Sequence, residues 1–387
     1  MHVLFLAHRV PFPPDRGDKI RSFNVLKHLA ARASVHLVAF ADDPRDLDPP
    51  PAFRELLASC TIVPRTKPMW RAGVEALASG RPLSLAAFDD PRIHPAVASV
   101  MATHPVDLVY AFSGQMGQYL PQSVARCAMD LVDADSAKFA AYARAASGPR
   151  KWMFAREARL LANYERALAA RVDACFLVSA QEAALVPGAQ VLENGIDTAA
   201  FDPAAPFVPV VGQGRLIVFT GQMDYRPNVE AVTAFARDVL PQVRARHPDV
   251  RFAIVGRAPT RDVRALAGDG VVVTGEVPDV RGWLAAASVV VAPLKLARGI
   301  QNKVLEAMAM ARPVVASPAA AEGIDHAGTI RVGEGAGDVL ALLDDPAGAA
   351  ALGASAREQV IARYGWDAAM APLDALFEPR NAARIAA

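Results

Sequence analysis

The sequence predicts an α/β protein built from two doubly wound parallel sheets. Short apolar runs without strict polar alternation recur along the chain, as expected of parallel strands covered on both faces. Helix-like segments of roughly ten or more residues separate most of these runs, which favours right-handed βαβ units. The length of 387 residues is sufficient for two domains of ordinary size.

Each half of the chain contains a series of predicted strands. In the first half they cover residues 3–8, 35–40, 61–63, 108–112, 128–132 and 175–179. In the second half they cover residues 216–220, 251–255, 271–274, 288–292, 313–316 and 330–332.

The boundary between the halves is predicted near residue 200, where a segment rich in Pro, Val and Gly begins. We therefore expect a first domain at 1–200 and a second at 201–364. Gly365 breaks the helical pattern of the tail. We expect residues 365–387 to form a final helix that leaves the second domain and packs on the first.

Composition excludes several classes of protein. The 41 basic and 40 acidic side chains give a net charge of +1, which argues against a dedicated nucleic-acid binder. Three cysteines, far apart and in no CxxC pair, argue against a disulfide scaffold or a zinc site and favour the cytoplasm. No apolar run approaches the ~18–20 residues that span a bilayer, so any membrane contact is expected to be peripheral.

The segment 298–310 is the most informative one. It follows a predicted strand and opens a helix, and a helix N-terminus at the carboxyl end of a strand favours an anion. Gly299 allows close approach of the backbone to a phosphate, and Lys303 places a charge in the first turn. Glu306, on the same helix face, can accept hydrogen bonds from two sugar hydroxyls. The pattern is consistent with a nucleotide-sugar site.

A plainer interpretation of the same spacing is a solvated Lys–Glu pair on an amphipathic helix. Spacing alone favours this interpretation, because such pairs are common. The choice therefore depends on the remaining motifs of the chain.

Those motifs resemble retaining GT-B glycosyltransferases of family 4. The segment 299–309 reads Gly-x-x-x-Lys-x-x-Glu-Ala-Met-Ala, as in the donor-site motif of that family. Further similarities are an Asn-Gly-Ile-Asp turn at 194–197, a Gly-containing loop at 219–228, two strand ends at 254–256 and 274–277, and a Tyr-Gly-Trp tail. A narrower resemblance, to bacterial sugar transferases of PEP-CTERM/exosortase gene clusters, rests on Met-Asp-Tyr-x-Pro-Asn at 223–228 together with 299–306.

The resemblance implies a GT-B fold with a cleft between the two Rossmann-like domains. The second domain is expected to bind a UDP- or GDP-sugar, and the first a glycan or polyprenyl-linked acceptor. The implied reaction is sugar transfer with retention, without a metal, in bacterial exopolysaccharide or cell-surface glycan synthesis. The protein would then be cytoplasmic and peripheral on the inner face of the membrane.

The donor site implied by the resemblance lies at strand ends and at the start of the motif helix. Its members are Gly17, Gly221, Gln222, Arg226, Gly256, Val277, Arg298, Gly299, Ile300, Gln301, Asn302, Lys303 and Glu306.

This sequence departs from the commoner family pattern in two places. Arg298 stands where a glutamate contacts the donor sugar, and either an acidic sugar pairs with it or it points to solvent. Gln222 stands where an arginine holds the diphosphate, and Arg226 lies next to the position of the usual lysine. We therefore assign the diphosphate to Lys303, Arg226 and the helix N-terminus.

The acceptor side is expected at two strand ends of the first half. Asp133 is the candidate for contact with the acceptor hydroxyl, and with Arg226 and Lys303 it completes the predicted catalytic set. Asp135 is either a second contact or a helix N-cap. No histidine is carried over from the family. The loop after the first strand contributes further candidates or is only a charged surface turn; these candidates are Asp15, Arg16, Asp18, Lys19 and Arg21.

Two basic segments, 65–81 with Trp70 and 142–171, fit either a surface that docks on anionic lipid or a solvated helix face. Two other functions remain open: a nucleotide-sugar 2-epimerase of the same architecture, and a non-catalytic sugar-nucleotide-binding protein. A Rossmann dehydrogenase is disfavoured because no GxGxxG follows the first strand.

Overall fold

The computed structural model describes residues 1–122, 126–210, 214–297 and 300–378. The chain divides into two compact units. The first comprises Met1–Asn194 and Met370–Ala387, and the second comprises Gly195–Ala369. The first unit thus ends a few residues before the predicted domain boundary at 200. The chain rejoins the first unit at Met370, a few residues after the predicted position of 365.

The first unit contains a seven-stranded parallel sheet with the strand order β3-β2-β1-β4-β5-β6-β7. Its strands are β1 (His2–Ala7), β2 (Ser34–Ala41), β3 (Ser59–Pro64), β4 (Val106–Phe112), β5 (Cys127–Val132), β6 (Ala174–Leu177) and β7 (Gln190–Val191). Its helices are α1 (Gly17–Ala30), α2 (Pro51–Arg54), α3 (Met69–Ser79), α4 (Leu83–Ala86), α5 (Ile93–Thr103), α6 (Asp135–Ala145), α7 (Gly148–Arg171) and α8 (Ala180–Ala183).

The second unit contains a six-stranded parallel sheet with the order β10-β9-β8-β11-β12-β13. Its strands are β8 (Leu216–Thr220), β9 (Arg251–Val255), β10 (Val271–Gly275), β11 (Val289–Ala292), β12 (Val314–Ala316) and β13 (Arg331–Val332). Its helices are α9 (Arg226–Ala234), α10 (Leu240–Arg246), α11 (Arg261–Arg264), α12 (Arg281–Ala286), α13 (Asn302–Ala309), α14 (Pro318–Ala321), α15 (Ala336–Asp344) and α16 (Pro346–Tyr364), and α17 (Trp366–Met370) leads back to the first unit.

The predicted fold class is confirmed. Every predicted strand coincides with an observed one, and both sheets are parallel with buried central strands. In each sheet the strand order reverses beside the first strand, between β1 and β4 and between β8 and β11. Ligands of such sheets bind beyond the carboxyl ends of the strands at these points.

A buried ion pair anchors the first unit. Arg21 on α1 is 1% exposed and Asp130 on β5 is wholly buried. The guanidinium donates to both carboxylate oxygens at 3.0 Å and to the backbone carbonyl of Leu192 at 2.7 Å. It also donates to Asn194 Oδ1 at 2.9 Å, and the Tyr110 hydroxyl donates to Asp130 at 3.1 Å. The pair thus ties α1 and β5 to the segment that leads into the second unit.

This arrangement corrects two predictions. Arg21 was expected to bind the acceptor, but its donors are used inside the unit. Lys19 is also buried, and its ammonium donates to Asp46 at 2.6 Å and to the Phe12 carbonyl at 3.3 Å. Both predictions were wrong because α1 turns these positions toward the core, where a charge must be paired.

The tail returns to the first unit. His28 Nε2 on α1 lies 2.8 Å from Asp374 Oδ1, and Arg126 donates to the Leu376 carbonyl at 2.6 Å. Among the described residues, no single helix is long and apolar enough to cross a membrane. Helices α15 and α16 reach the required length and hydropathy only when taken together, and the chain bends by 103° between them.

Replacing Asp130 with Ala should destabilise the first unit by about 3–5 kcal/mol, because the Arg21 guanidinium would stay buried without its carboxylate. Hydrogen exchange of β1 and β5 amides measures this loss in the first unit alone. Asp48→Ala is the matched control, since Asp48 pairs with Arg54 at 2.8 Å but is 94% exposed; it should cost about 0–1 kcal/mol. Equal effects of the two variants would contradict the assignment.

Candidate donor site in the second unit

A cavity of about 530 Å³ opens at the carboxyl end of the second sheet. It lies beyond β8, β9 and β10, beside the N-terminus of α13. It is lined by Thr220, Gly221, Gln222, Tyr225, Asn228, Val255, Gly256, Arg257, Glu276, Val277, Val280, Ile300, Gln301, Asn302, Lys303 and Glu306.

Helix α13 presents its polar face to this cavity. Val304, Ala307 and Met308 are buried against the sheet, so Lys303 and Glu306 lie together on the opposite face. The residue before the helix, Gln301, is extended, and its side chain does not cap the first-turn N–H groups. The start of α13 therefore borders the cavity without a side-chain cap, and a helix N-terminus in this position is suited to an anion.

The Lys303 ammonium is held at a fixed place. It donates to Asn228 Oδ1 at 2.7 Å and lies 4.3 Å from the centroid of the Phe219 ring. Asn228 is buried on α9 and also donates to the Gln222 carbonyl at 2.9 Å. Asn228 thus joins Lys303 to the loop after β8.

Two glycines allow the loops after β8 and β9 to approach each other. A Cβ atom on Gly256 would lie 1.6 Å from the Gly221 carbonyl oxygen, which no side chain can tolerate. A Cβ on Gly221 would meet the Asn228 amide at 2.8 Å and the Lys303 ammonium at 3.1 Å. The cavity floor therefore consists of bare backbone beside the lysine.

Burial sets the ionisation of the site. It lowers the pKa of Lys303 to about 8, against a smaller opposing effect of the Glu306 charge. Burial also raises the pKa of Glu306, and the Lys303 charge partly offsets this effect. Both groups therefore gain from a bound ligand that pairs with them.

Arg257 lines the cavity, although it is not among the residues predicted from the sequence. Its guanidinium donates to Gln222 Oε1 at 3.0 Å. Gln222 stands where the commoner family pattern has an arginine. In this protein Arg257 contacts the Gln222 side chain from the neighbouring loop. Its position directly after the strand end at Gly256 is the signal that could have indicated it.

Arg226, in contrast, is not brought into the cavity. Its side chain is 88% exposed, and it pairs with Glu230 one turn along α9 at 2.7 Å. The expected contact with a diphosphate finds no support in this arrangement, because the first turn of α9 directs Arg226 toward solvent.

The other predicted donor residues fall into three groups. Arg298 and Gly299 lie outside the described residues. Gly17 begins α1 in the first unit, and its role stays a prediction. Those that the structure brings together around the cavity are Gly221, Gln222, Gly256, Val277, Ile300, Gln301, Asn302, Lys303 and Glu306.

In the first unit, Asp133 follows a strained turn at the end of β5. Val132 has φ +70°, and its N–H donates to Asp130 at 3.0 Å. Ser113, at the end of neighbouring β4, has φ +75°. A β-branched residue in this region costs energy and is maintained only by its surroundings. The strain thus occurs where the sequence predicts the acceptor site.

The Asp133 carboxylate accepts no hydrogen bond from any residue that the structure describes. Its pKa is raised by burial and by the neighbouring Asp135 charge. Asp135 itself accepts from Lys138 at 2.7 Å and from Gln115 at 3.3 Å. Asp133 is therefore the carboxylate with capacity for a ligand hydroxyl, while Asp135 begins α6.

The loop before α1 carries the remaining predicted acceptor residues. Asp18 accepts from Arg9 at 2.7 Å and Arg16 at 2.6 Å, and its carboxylate lies 3.3 Å from His8 Nε2. Burial raises its pKa, but these neighbours outweigh burial and hold the pKa below its usual range. Asp15 and Arg16 are exposed, so their contact with an acceptor stays a prediction.

The fold is that of GT-B glycosyltransferases. Sucrose-phosphate synthase from Thermosynechococcus elongatus matches with a TM-score of 0.59 and 19% identity, covering 97% of this chain and 98% of that one. HepE from Anabaena, in complex with UDP, matches with a TM-score of 0.59 and 15% identity, covering 97% and 99%. At these identities the likeness concerns the fold.

Residues 214–351 match the family model "Glycosyl transferases group 1". A phosphatidyl-myo-inositol mannosyltransferase from Mycolicibacterium smegmatis is 32% identical over 219 residues, covering 53% of this chain and 55% of the relative. Its counterpart from Propionibacterium freudenreichii is 31% identical over 163 residues, covering 39% of each. The chain thus spans about half the length of the first curated relative, and less of the second. The broad resemblance is confirmed; the narrower one stays a prediction.

We expect Lys303 to titrate with a midpoint near pH 8, measured by NMR on lysine side chains labelled with ¹³C and assigned with Lys303→Arg. Glu306→Gln should lower the midpoint further, because the Glu306 charge favours the ammonium form. A midpoint at the ordinary value of 10.5, or an upward shift in Glu306→Gln, would contradict the described environment.

Proposed function

We propose that the protein is a retaining glycosyltransferase that moves a sugar from a nucleotide diphosphate to a lipid-linked or glycan acceptor at the cytoplasmic face of a membrane. The second unit binds the donor, and the first unit binds the acceptor. The product belongs to bacterial exopolysaccharide or cell-surface glycan synthesis.

One observation carries this proposal. Lys303, in the first turn of α13, is held by Asn228 directly beside a floor of glycine backbone, and burial lowers its pKa to about 8. Arg257 adds a second cation at the same cavity. Two cations, the N-terminus of α13 and bare backbone form an arrangement suited to a diphosphate.

The proposed chemistry follows from this charge distribution. When the bond between the anomeric carbon and the diphosphate oxygen breaks, negative charge grows on the leaving group. Lys303, Arg257 and the N-terminus of α13 stabilise that charge, and the proposal includes no metal ion in this role. The acceptor hydroxyl attacks from the same face, and its proton passes to a diphosphate oxygen. Glu306 binds hydroxyl groups of the donor.

The acceptor class is supported by the relatives. Both curated relatives are named as phosphatidyl-myo-inositol mannosyltransferases, which favours transfer over epimerisation and a lipid-linked acceptor over a soluble one. Structures of Anabaena HepE contain UDP and UDP-glucose, so UDP is the first nucleotide to test.

Arg257→Ala and Lys303→Ala should each weaken UDP binding roughly ten- to hundredfold, because each removes a charged hydrogen-bond donor to the diphosphate. Isothermal titration calorimetry measures the Kd, and transfer from UDP- and GDP-sugars to lipid extracts measures the reaction. GDP is titrated in parallel, because the base is open.

Arg226→Ala is the matched control, since it removes the same charge from an exposed position of the same unit. It should leave the Kd nearly unchanged. The proposal is wrong if neither nucleotide binds, or if Arg226→Ala weakens binding while the two cavity variants do not.

A membrane contact of the first unit is also part of the proposal. Helix α3 exposes Trp70, Val74 and Leu77, spaced so that they form one stripe. The first turns of α7 expose Trp152 and Met153. We call these five side chains the α3–α7 face.

The two helices are neighbours, and basic groups accompany the face. Arg156 on α7 donates to the Ala76 carbonyl on α3 at 2.8 Å. Arg150 and Lys151 are exposed and directly precede Trp152 in the chain, whereas the exposed Arg71 pairs with Glu75 at 2.9 Å. Arg156 and Arg171, in contrast, donate to backbone carbonyls of the unit, so part of the predicted basic segment is structural. Exposed tryptophans with adjacent cations fit an anionic bilayer.

Replacing Trp70 and Leu77 with Glu should abolish binding to vesicles of phosphatidylglycerol, because both side chains would leave the apolar layer. Co-sedimentation measures this, and binding of the unaltered protein should fall with salt. Ile361→Glu, at an exposed apolar position of α16, is the control. If the unaltered protein fails to sediment with these vesicles, the membrane contact is refuted.

A further inference from the structure

Three histidines meet at the amino end of the first sheet. His2 begins β1, His36 lies within β2, and His104 directly follows α5 before β4 begins. Because β1 lies between β2 and β4, the three histidines lie at the same end of three neighbouring strands. They are at the opposite end of the strands from Asp133 and take no part in the proposed reaction.

The register places the three side chains on one face. His36 pairs with Leu4, which lies two residues after His2 and therefore points to the same side. His2 pairs with Val106, two residues after His104. The strand pairing thus brings His2 and His36 to one face, and His104 lies two residues before the residue that pairs with His2.

The ring nitrogens are within reach of a single ion. His2 Nδ1 lies 3.0 Å from His36 Nε2, and the rings of His36 and His104 stack at 4.1 Å. One nitrogen from each residue lies within 4.8 Å of the other two. Ligands about 2.0–2.1 Å from a tetrahedral zinc are about 3.4 Å apart. The three rings are stacked, so the half-buried His2 and His104 rings must turn until their nitrogens point at the same ion.

Ser59 fixes the orientation of the central ring. Its hydroxyl lies 2.8 Å from His36 Nδ1, on the strand that pairs with β2. With the proton on Nδ1, the lone pair of Nε2 faces the other two rings. This is the arrangement by which a second hydrogen bond orients a metal-ligating histidine.

The environment favours neutral rings. His36 is wholly buried, and burying a charged imidazolium without an acidic partner is costly. Within the described ranges, no acidic side chain is hydrogen-bonded to the three rings. Neutral imidazole is the form that binds zinc and other late first-row cations.

We propose that His2, His36 and His104 bind a divalent first-row cation, with zinc the first candidate and water at the fourth position. The ion links the start of β1 to β2 and to the connection between α5 and β4. Because the unfolded chain does not bring these residues together, binding stabilises the first unit.

The test is calorimetric titration of ZnCl₂ into chelator-treated protein without any purification tag. We expect one equivalent to bind and the unfolding midpoint of the unaltered protein to rise. His104→Ala should abolish both effects, because it removes one of the three ligands. His104 is chosen because it lies outside the sheet, so its replacement leaves the strand pairing intact. Ser59→Ala keeps all three ligands and should weaken binding roughly ten- to hundredfold.

His94→Ala is the matched control, because His94 is exposed on α5, the helix that His104 follows, and lies outside the cluster. It should bind zinc as the unaltered protein does. The proposal is overturned if the unaltered protein binds no zinc saturably, or if His104→Ala binds it equally well, which would identify adventitious binding elsewhere.

Discussion

The central strands of both sheets are covered on both faces, and this burial determines where polar chemistry can occur. A polar side chain within such a strand must be paired, as Asp130 is with Arg21. Beyond the strand ends the chain leaves the core, and polar side chains there can face a cavity. Arg257 follows β9 and Asp133 follows β5, while Lys303 lies in the first turn of α13 beside the same end of the second sheet.

Within the donor cavity, burial places the Lys303 ammonium where a diphosphate would bind. The same burial makes the charged form of Lys303 less stable. Lys303 lies against the Phe219 ring in a region that disfavours the ammonium. Among the described residues, Asn228, a neutral acceptor, the face of the Phe219 ring and the charge of Glu306 oppose that cost. A bound dianion would favour the charged form of Lys303, since interactions between charges are stronger where water is displaced. The site is thus poised to gain from its ligand.

The sequence alone predicts the strands well but the contacts poorly. Continuous apolar runs identify every strand except β7, which has only two residues and no recognisable run. Lys303 and Glu306 are predicted correctly as neighbours, because a helix fixes their spacing. Asn228 was missed, and Arg21 was assigned to the wrong role. Their positions depend on partners 75 and 109 residues away, and no local pattern encodes such pairings.

The substitution at Gln222 shows why a motif is best compared in space. In the commoner pattern one residue after the first strand supplies the arginine. Here the loop after β9 supplies Arg257, and Gln222 accepts its hydrogen bond. The exchange is possible because Gly256 lets the two loops touch. Arg257 thus places a charge at the cavity from the loop after β9, and a comparison in space finds this charge where a comparison of the motif alone does not.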